Sequence, residues 1–589
     1  RVLAQELLGM PNGDQPLDIR FNKPAGTWLV AWNKGWRVDE AKRGTEANQK
    51  WGTSRRGFAT LLDDALNQRT PTVYDTSSDG KRSVNQQETL AAQQKLREIQ
   101  DEFKKWIWKD KDRADRLAAY FYRKFNNMRL REYNGSMLTL PGYSSVAPPL
   151  KQHQKDAVWR IIQDGTALLA HTVGAGKTWT MQTAAMELKR LGIVNKSMFV
   201  IPNHMLQQFE NEFRIIYPNA KLLTISSENL PDVPAPAKKG DTAEAKKRRA
   251  AKIAERQKIL SRIATEDWDG IIISHNMFKR IPMSPEAYST FYQEQIDNMR
   301  TAIIELTGEN DRNSNRLVKE LEKKAKSLEE RLKRDMNEEN KDIVIPFEQL
   351  GIDEIFVDEA DLFKNLFFVT KMNRIGGLSN TNSQRSLDMY MKTQYLAKHN
   401  NGRGIVFATG TPISNTMAEM FTMLRYLDGK GLKENDLDFF DNWAAQFAER
   451  ETVIERSPDG QGWRQAEKFT KFKNMPELIK MFRKVADVKT QADLNLDIPK
   501  LKNGKPTVIE VEPNSALTDY IKNTAKERAQ AIHDRKVDPS EDNMLKLTGD
   551  LRKASLDMRL IDPTVPESVA GGKLRAVADN VYKKYKESD

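Results

Sequence analysis

The sequence predicts an α/β fold, a parallel sheet covered by helices on both faces, preceded by a helical region. Three observations predict it. Short apolar runs at Ala167–Ala170, Met198–Ile201, Gly270–Ile273, Ile355–Val357 and Ile405–Ala408 alternate with segments of helical periodicity. The first run passes into a glycine-flanked turn ending Gly174-Ala175-Gly176-Lys177-Thr178, and the fourth into Asp358-Glu359-Ala360-Asp361. A strand that ends in a phosphate-cradling turn and another that ends in acids are the two halves of a nucleotide site.

Composition bounds the reading. At 589 residues the chain is too long for one core and implies about three to five units. A surplus of 94 Lys+Arg over 82 Asp+Glu, net +12, favours a polyanionic partner, although a solvated basic surface gives the same count. The absence of cysteine excludes disulfides, thiolate zinc sites and cysteine nucleophiles, and it fits a cytoplasmic, reducing compartment. Six scattered histidines make a multi-histidine metal site a poor expectation; the metal expected is Mg²⁺ carried with a nucleotide. No run approaches the ~20 apolar residues of a membrane span. The start at Arg1, with no signal-peptide pattern, suggests an internal piece of a longer polypeptide.

Taken in order, residues 1–145 form a helical auxiliary region. Leu96, Ile99, Phe103, Trp106 and Ile107 recur at three- and four-residue steps between Thr89 and Phe125, which reads as a buried stripe in preference to a base-stacking face. Pro141-Gly142 and Pro148-Pro149 mark a boundary. Residues 146–427 form the first lobe, interrupted by a basic loop at 231–258 and by a helical hairpin at about 285–340. The hairpin is read from Ile296, Met299, Ile303 and Leu306 against Leu317, Leu321, Leu328 and Leu332, with Gly308 to Asn315 as its turn. Residues 428–499 read as a helical linker. A second α/β lobe starts near Lys500 with a strand at Thr507–Val511 and a helix carrying Leu574, Val577, Val581 and Tyr582.

The chemistry sits at the strand ends. Gly174, Ala175 and Gly176 let backbone N–H groups converge on phosphates, Lys177 reaches the β and γ phosphates, and the Thr178 hydroxyl suits Mg²⁺. His171 stands where the strict pattern has glycine. Asp358 is expected to hold the metal through water, and Glu359 to orient or deprotonate the attacking water. Thr409-Gly410-Thr411-Pro412 follows the last apolar run as a strand-to-helix turn.

The order of Gln154, Gly-Ala-Gly-Lys-Thr, Pro202, Ser274, Asp-Glu-Ala-Asp and Thr-Gly-Thr-Pro resembles the Swi/Snf-like motors of helicase superfamily two. That resemblance implies a RecA-like P-loop NTPase lobe and the start of a second RecA-like lobe, with ATP and Mg²⁺ as cofactors and double-stranded DNA as partner. It makes Gln154 the adenine contact, Thr409, Gly410 and Thr411 the coupling element, and Pro202 and Ser274 first-lobe DNA contacts. Trp51-Gly52-Thr53, Phe125-Asn126, Tyr133-Asn134-Gly135 and Phe363-Lys364-Asn365-Leu366 are similar to segments of large phage and plasmid proteins that fuse an adenine methyltransferase to such a helicase. In those proteins the motor serves defence against restriction. The likeness implies an upstream methyltransferase region, a host-cell cytoplasmic location or carriage in a phage particle, and no membrane.

One departure stands out. The second-lobe arginine motif Gln-x-x-Gly-Arg-x-x-Arg does not occur before Asp589. An arginine finger is worth ~10³–10⁵ in rate, so the expectation is a chain that binds ATP and hydrolyses it weakly alone. Two alternatives stay open on sequence: a DNA-binding protein with a non-hydrolysing ATPase scaffold, and an RNA helicase.

Overall fold

The structure, a computed structural model, describes residues 1–589 except 12, 23–26, 77–81, 126–128, 228–229, 232–241, 308–311, 337–344, 369, 371–374, 377–382, 415, 457–462, 495–503, 535, 539, 567–571 and 589. Asn126, Lys500, residues 308–311 of the expected turn and residues 232–241 of the expected basic loop lie outside the described residues. The chain divides into two compact units, Arg1–Glu451 with Glu467–Leu496, and Thr452–Ala466 with Asp497–Asp589.

The first unit opens with the expected mostly helical region, which also carries strands. Two antiparallel hairpins, β1 (Leu17–Asn22) with β2 (Thr27–Trp32) and β3 (Tyr74–Thr76) with β4 (Arg82–Val84), stand among the helices. The aromatic and β-branched run Trp28-Leu29-Val30-Ala31-Trp32 favours a pleated strand over a helix. The long apolar stripe divides at Asp110 into α1 (Gln86–Lys109) and α2 (Lys111–Phe125). Ile99 and Ala92 are buried against Phe58 and Leu61 and Trp106 packs partly buried against the same cluster, but Phe103 is exposed, so the stripe is covered only in part.

The sheet of the first unit has seven parallel strands. In chain order they are β5 (Thr166–His171), β6 (Ser197–Ile201), β7 (Leu222–Ile225), β8 (Gly270–Ser274), β9 (Glu354–Asp358), β10 (Ile405–Ala408) and β11 (Ala486–Lys489). Across the sheet the order is β11-β5-β10-β9-β6-β8-β7. Every residue of β5, β6, β8, β9 and β10 is buried, as expected of strands covered on both faces. One core cluster fills one side of the sheet around Trp443, Phe421 and Tyr426, and another fills the other side around Phe199, Phe209 and Phe213.

The edge strand β11 corrects the reading of residues 428–499 as a helical linker. Its four residues, Ala-Asp-Val-Lys, are too few and too polar to announce a strand. They form one because the outer edge of β5 offers a ladder and pairs Ala486 with Leu168 through to Lys489 with His171. The hairpin insertion is α3 (Pro285–Thr307) against α4 (Arg312–Met336), closed by Tyr292, Ile296, Met299, Leu321, Ala325 and Leu328.

In the second unit the described residues of Thr452–Ala466 are strand, from the strands Ala448–Arg456 and Trp463–Phe472, and the regular elements described in Asp497–Asp589 are helices. Its core is small, Ala525, Ala529 and Leu547 in one cluster and Ala554 and Met558 in another. Arg528 ties it together through Asp542 at 2.7 Å and Asp550 at 3.0 Å. Thr507–Val511 runs without a sheet partner among the described residues, so the strand expected there does not form; its side chains are β-formers, but a strand exists only alongside another.

Candidate active site

The register of the sheet brings the motifs to one edge. Ala408 of β10 lies beside Leu169 of β5 on one side and Asp358 of β9 on the other. Ile201 lies beside Ser274, and Val200 beside Val357. The segments after β5, β10, β9, β6 and β8 therefore leave the sheet at its carboxyl end, where open α/β sheets bind ligands. A single strand, β10, stands between the phosphate loop and the acids.

The loop after β5 depends on its glycines. Gly174 and Gly176 both have φ of 80°, a left-handed conformation that a side chain would strain. Gly176 is also the residue before α5 (Lys177–Arg190), so the loop opens onto a helix N-terminus. A Cβ on Gly176 would lie 2.4 Å from Nε2 of Gln154. Lys177 folds back so that its Nζ donates to the carbonyl oxygens of His171 at 3.1 Å and Thr172 at 3.4 Å. Burial lowers its pKa, and the negative charges of Asp358 and Glu359 oppose that fall.

The preceding helix, α6 (Gln152–Asp164), grips the loop from beside it. His153 donates from Nε2 to Ala175 O at 2.9 Å, and Gln154 donates from Nε2 to Gly176 O at 3.1 Å. Gln154 also accepts from the Lys151 N–H at 2.8 Å and is buried. Both ends of its amide are thus engaged within the chain, which makes it a brace of the phosphate loop in this structure. The helix is braced in turn: Gly135 N–H donates to Asp156 at 2.8 Å, and a Cβ on Gly135 would lie 2.1 Å from Lys155 O. Tyr133 donates to Asp164, and burial followed by that carboxylate pushes its hydroxyl up to about 12. The motif Tyr133-Asn134-Gly135 thus supports the nucleotide helix, a role that sequence spacing could not show.

Asp358 is buried at the end of β9, and that burial raises its pKa, while the Glu359 N–H and Lys177 pull it down. Glu359 has φ of 51° and ψ of 51°, a left-handed conformation for a non-glycine residue, and such strain gathers at functional sites. Burial, then Asp358 and Asp361, raises its pKa. His275 donates from Nε2 to the carbonyl oxygen of Asp358 at 2.9 Å; burial lowers its pKa to about 4, so the ring stays neutral. No group of three or more metal-ligating side chains occurs among the described residues. One hydroxyl, Thr178, and one desolvated carboxylate, Asp358, suit Mg²⁺ that arrives with its phosphates and keeps several waters.

The turn after β10 joins the acids directly. Thr409 donates from Oγ1 to Asp361 at 3.3 Å, and the Thr411 N–H donates to Thr409 Oγ1 at 3.1 Å. A Cβ on Gly410 would come within 3.3 Å of Val173 Cγ2, so the turn also lies against the phosphate loop. A second link, not anticipated from sequence, runs from Lys364 to Ser414 Oγ at 2.6 Å and to Glu419 at 3.2 Å. Ser414 N–H donates to the same carboxylate at 2.7 Å.

Two expected DNA contacts are less exposed than their role would need. Ser274 is buried, its Oγ accepting from Met277 N–H at 3.4 Å as the cap of a short helix, and Pro202 is half-buried. Next to Pro202, Asn203 and His204 are exposed.

A parallel sheet with a glycine-rich P-loop after one strand and a buried acid, Asp358, at the end of another two strands away is the arrangement of a RecA-like P-loop lobe. The sequence model described as "Probable helicase domain" matches residues 159–234 and 242–490, more than half of the chain, and the chain belongs to that family. Residues 3–127 match a domain of unknown function, DUF8437. The Defense against restriction protein B of Escherichia phage P1 is 23% identical over 529 residues, covering 85% of this chain and 22% of that protein's length. The SWI2/SNF2 ATPase core of Sulfolobus solfataricus in complex with dsDNA has a TM-score of 0.31 and 14% identity over 77% of this chain and 68% of its own. The same core domain in a second structure has a TM-score of 0.30 and 12% identity, over 78% and 68%.

Proposed function

We propose that the chain is an ATP-dependent motor that translocates on duplex DNA, within a larger phage or plasmid protein of antirestriction or DNA modification. The supporting observation is the convergence at one sheet edge of Lys177, the Asp358-Glu359 pair and Thr409 bonded to Asp361. Gly174 to Gly176 and Lys177 bind the phosphates, Thr178 and Asp358 hold Mg²⁺, the latter through water, and Glu359 orients the attacking water and accepts its proton. Bound Mg²⁺ supplies charge neutralisation at the transferred phosphoryl group. Thr409, Gly410 and Thr411 transmit the state of the acids to the DNA-facing edge, where Pro202 and Ser274 shape the backbone turns. The likeness to the phage P1 protein favours a host-cell cytoplasmic setting with an upstream methyltransferase region in the same polypeptide, and the net charge of +12 suits a polyanionic track.

The test is steady-state ATP hydrolysis with linear duplex DNA, with single-stranded RNA and with no nucleic acid, on this chain and on a longer polypeptide that includes it. Duplex-stimulated turnover abolished by Lys177→Ala and by Glu359→Gln is expected. Stimulation by RNA alone, or DNA binding with no turnover in either polypeptide, would overturn the reading.

A further inference from the structure

The α1 stripe is covered at Ala92, Ile99 and, in part, Trp106, but the end of the helix is not. Trp108, the penultimate residue of α1, is 71% exposed and makes no hydrogen bond or ring contact among the described residues. A bare indole in water forgoes the burial that ordinarily accounts for a tryptophan. It sits on a rigid corner. Asp110 accepts from the Arg113 N–H at 2.7 Å to start α2, and the Arg113 guanidinium lies 3.4 Å from the Trp106 ring centre while donating to Trp106 O at 2.6 Å. Phe103 stacks on the same Trp106 ring, 6.1 Å between centres. The corner thus ties Trp106 to Arg113 and leaves Trp108 outward.

Lysines cluster near that indole along the chain. Lys104 and Lys105 lie one turn before it on the same helix face, and Lys109 and Lys111 flank it. Lys104 and Lys105 pair with Asp101 at 2.9 Å and Glu102 at 3.9 Å, exposed pairs of the kind that exchange readily for another anion. Along α2 the exposed Arg116, Tyr122 and Arg123 continue the mixture of ring and cation. The exposed rings and apolar groups there, Trp108, Leu117, Tyr120 and Tyr122, are interleaved with Arg116, Arg123 and the lysines of α1, the pattern that takes phosphates on the cations and an unpaired base on a ring.

We propose that the α1–α2 corner, in the region of unassigned function at residues 3–127, binds single-stranded nucleic acid by stacking a base on Trp108 with phosphates on Lys104, Lys105, Lys109 and Lys111. The site is separate from the nucleotide edge and needs no ATP, so a chain without ATPase activity still answers the test.

Binding of fluorescein-labelled dT20 and of a 20-base-pair blunt duplex is measured by anisotropy on the full chain without nucleotide. Trp108→Ala should weaken dT20 binding roughly fivefold to a hundredfold, since stacking on an aromatic is worth about 1–3 kcal/mol per base, and should leave duplex binding within about twofold. Trp108→Phe should restore most of the loss. Lys104→Gln with Lys105→Gln should lower the salt slope for dT20 by about 0.7 for each lysine. Trp108 is a surface residue, so a circular dichroism spectrum shows that the variant is folded. Unchanged dT20 binding in Trp108→Ala, or an equal loss for duplex, overturns the proposal. So does a Trp108 variant whose only loss is to phosphatidylglycerol vesicles, which would assign the corner to a membrane surface.

Discussion

His171 and Asp487 meet across strands β5 and β11, Nε2 to Oδ2 at 2.6 Å, with the histidine wholly buried. The residue that replaces a glycine of the strict phosphate-loop pattern is therefore the one that ties the loop to the last strand of the sheet. Burial alone would push the Asp487 carboxyl up, yet the bond from His171, with Lys489 and Arg160 nearby, holds it below the usual carboxylate range. Thr172 N–H donates to Lys489 O at 3.0 Å and continues the ladder into the loop.

Asp487→Asn is accordingly expected to loosen the loop without removing a phosphate ligand. A buried bond to a charged group is worth about 1.5–3 kcal/mol. The Michaelis constant for ATP should rise roughly tenfold while kcat changes less, and equilibrium binding of a fluorescent ATP analogue should weaken in parallel. Equal affinity in variant and parent would show that the pair does not position the loop.

Arg160 fixes the same strand from the other side. Its guanidinium donates to Ala486 O at 3.0 Å, Arg483 O at 2.8 Å and Lys484 O at 2.9 Å, closing the last turn of the helix Met475–Val485. In Arg160→Met the amides of residues 486–489 should lose hydrogen-exchange protection while those of β9 keep theirs. Unaltered exchange at Val488 would count against Arg160 as the holder of β11.

Lys364 joins the acids to the turn after β10 through Ser414 and Glu419. Lys364→Met should leave ATP binding intact and cut the stimulation of hydrolysis by DNA several-fold, because the two ends of the coupling element no longer move together. A fall in ATP affinity with stimulation preserved would place Lys364 in nucleotide binding instead.

Glu354 opens the central strand β9 and is buried, so its pKa lies well above the usual 4.5. The unfolded chain releases this proton above about 4.5, the ordinary glutamate value, and the folded chain keeps it, so stability is lost as pH rises from there towards the folded pKa. Glu354→Gln removes that loss. The variant should match the parent near pH 4 and gain melting temperature over it as pH rises to 8. A gain equal at both pH values would mean that titration is not its cause.

Much of the nucleotide edge was legible in the sequence because each part carries a local requirement. Gly174 and Gly176 stand where the backbone turns left-handed, and Asp358 closes a run apolar enough to be a covered strand. Less of the surroundings was legible. His275 under Asp358, Lys364 against Glu419 and Gly135 against Lys155 are ordinary residues whose partners lie tens of positions away. The α1 stripe shows the limit of periodicity: spacing puts Ile99 and Phe103 on one face, but only neighbouring elements decide where that face stops being covered.

The sequence by itself determined the parallel sheet, the phosphate loop and the acidic pair, because strand hydrophobicity, glycine conformation and phosphate chemistry act over a few residues. Tertiary structure alone decided that Ala486–Lys489 is a strand, that Gln154 braces the loop it flanks, and that Trp108 faces water. Each of these depends on whether a distant edge, carbonyl or apolar surface is present, and that is settled only when the chain has packed.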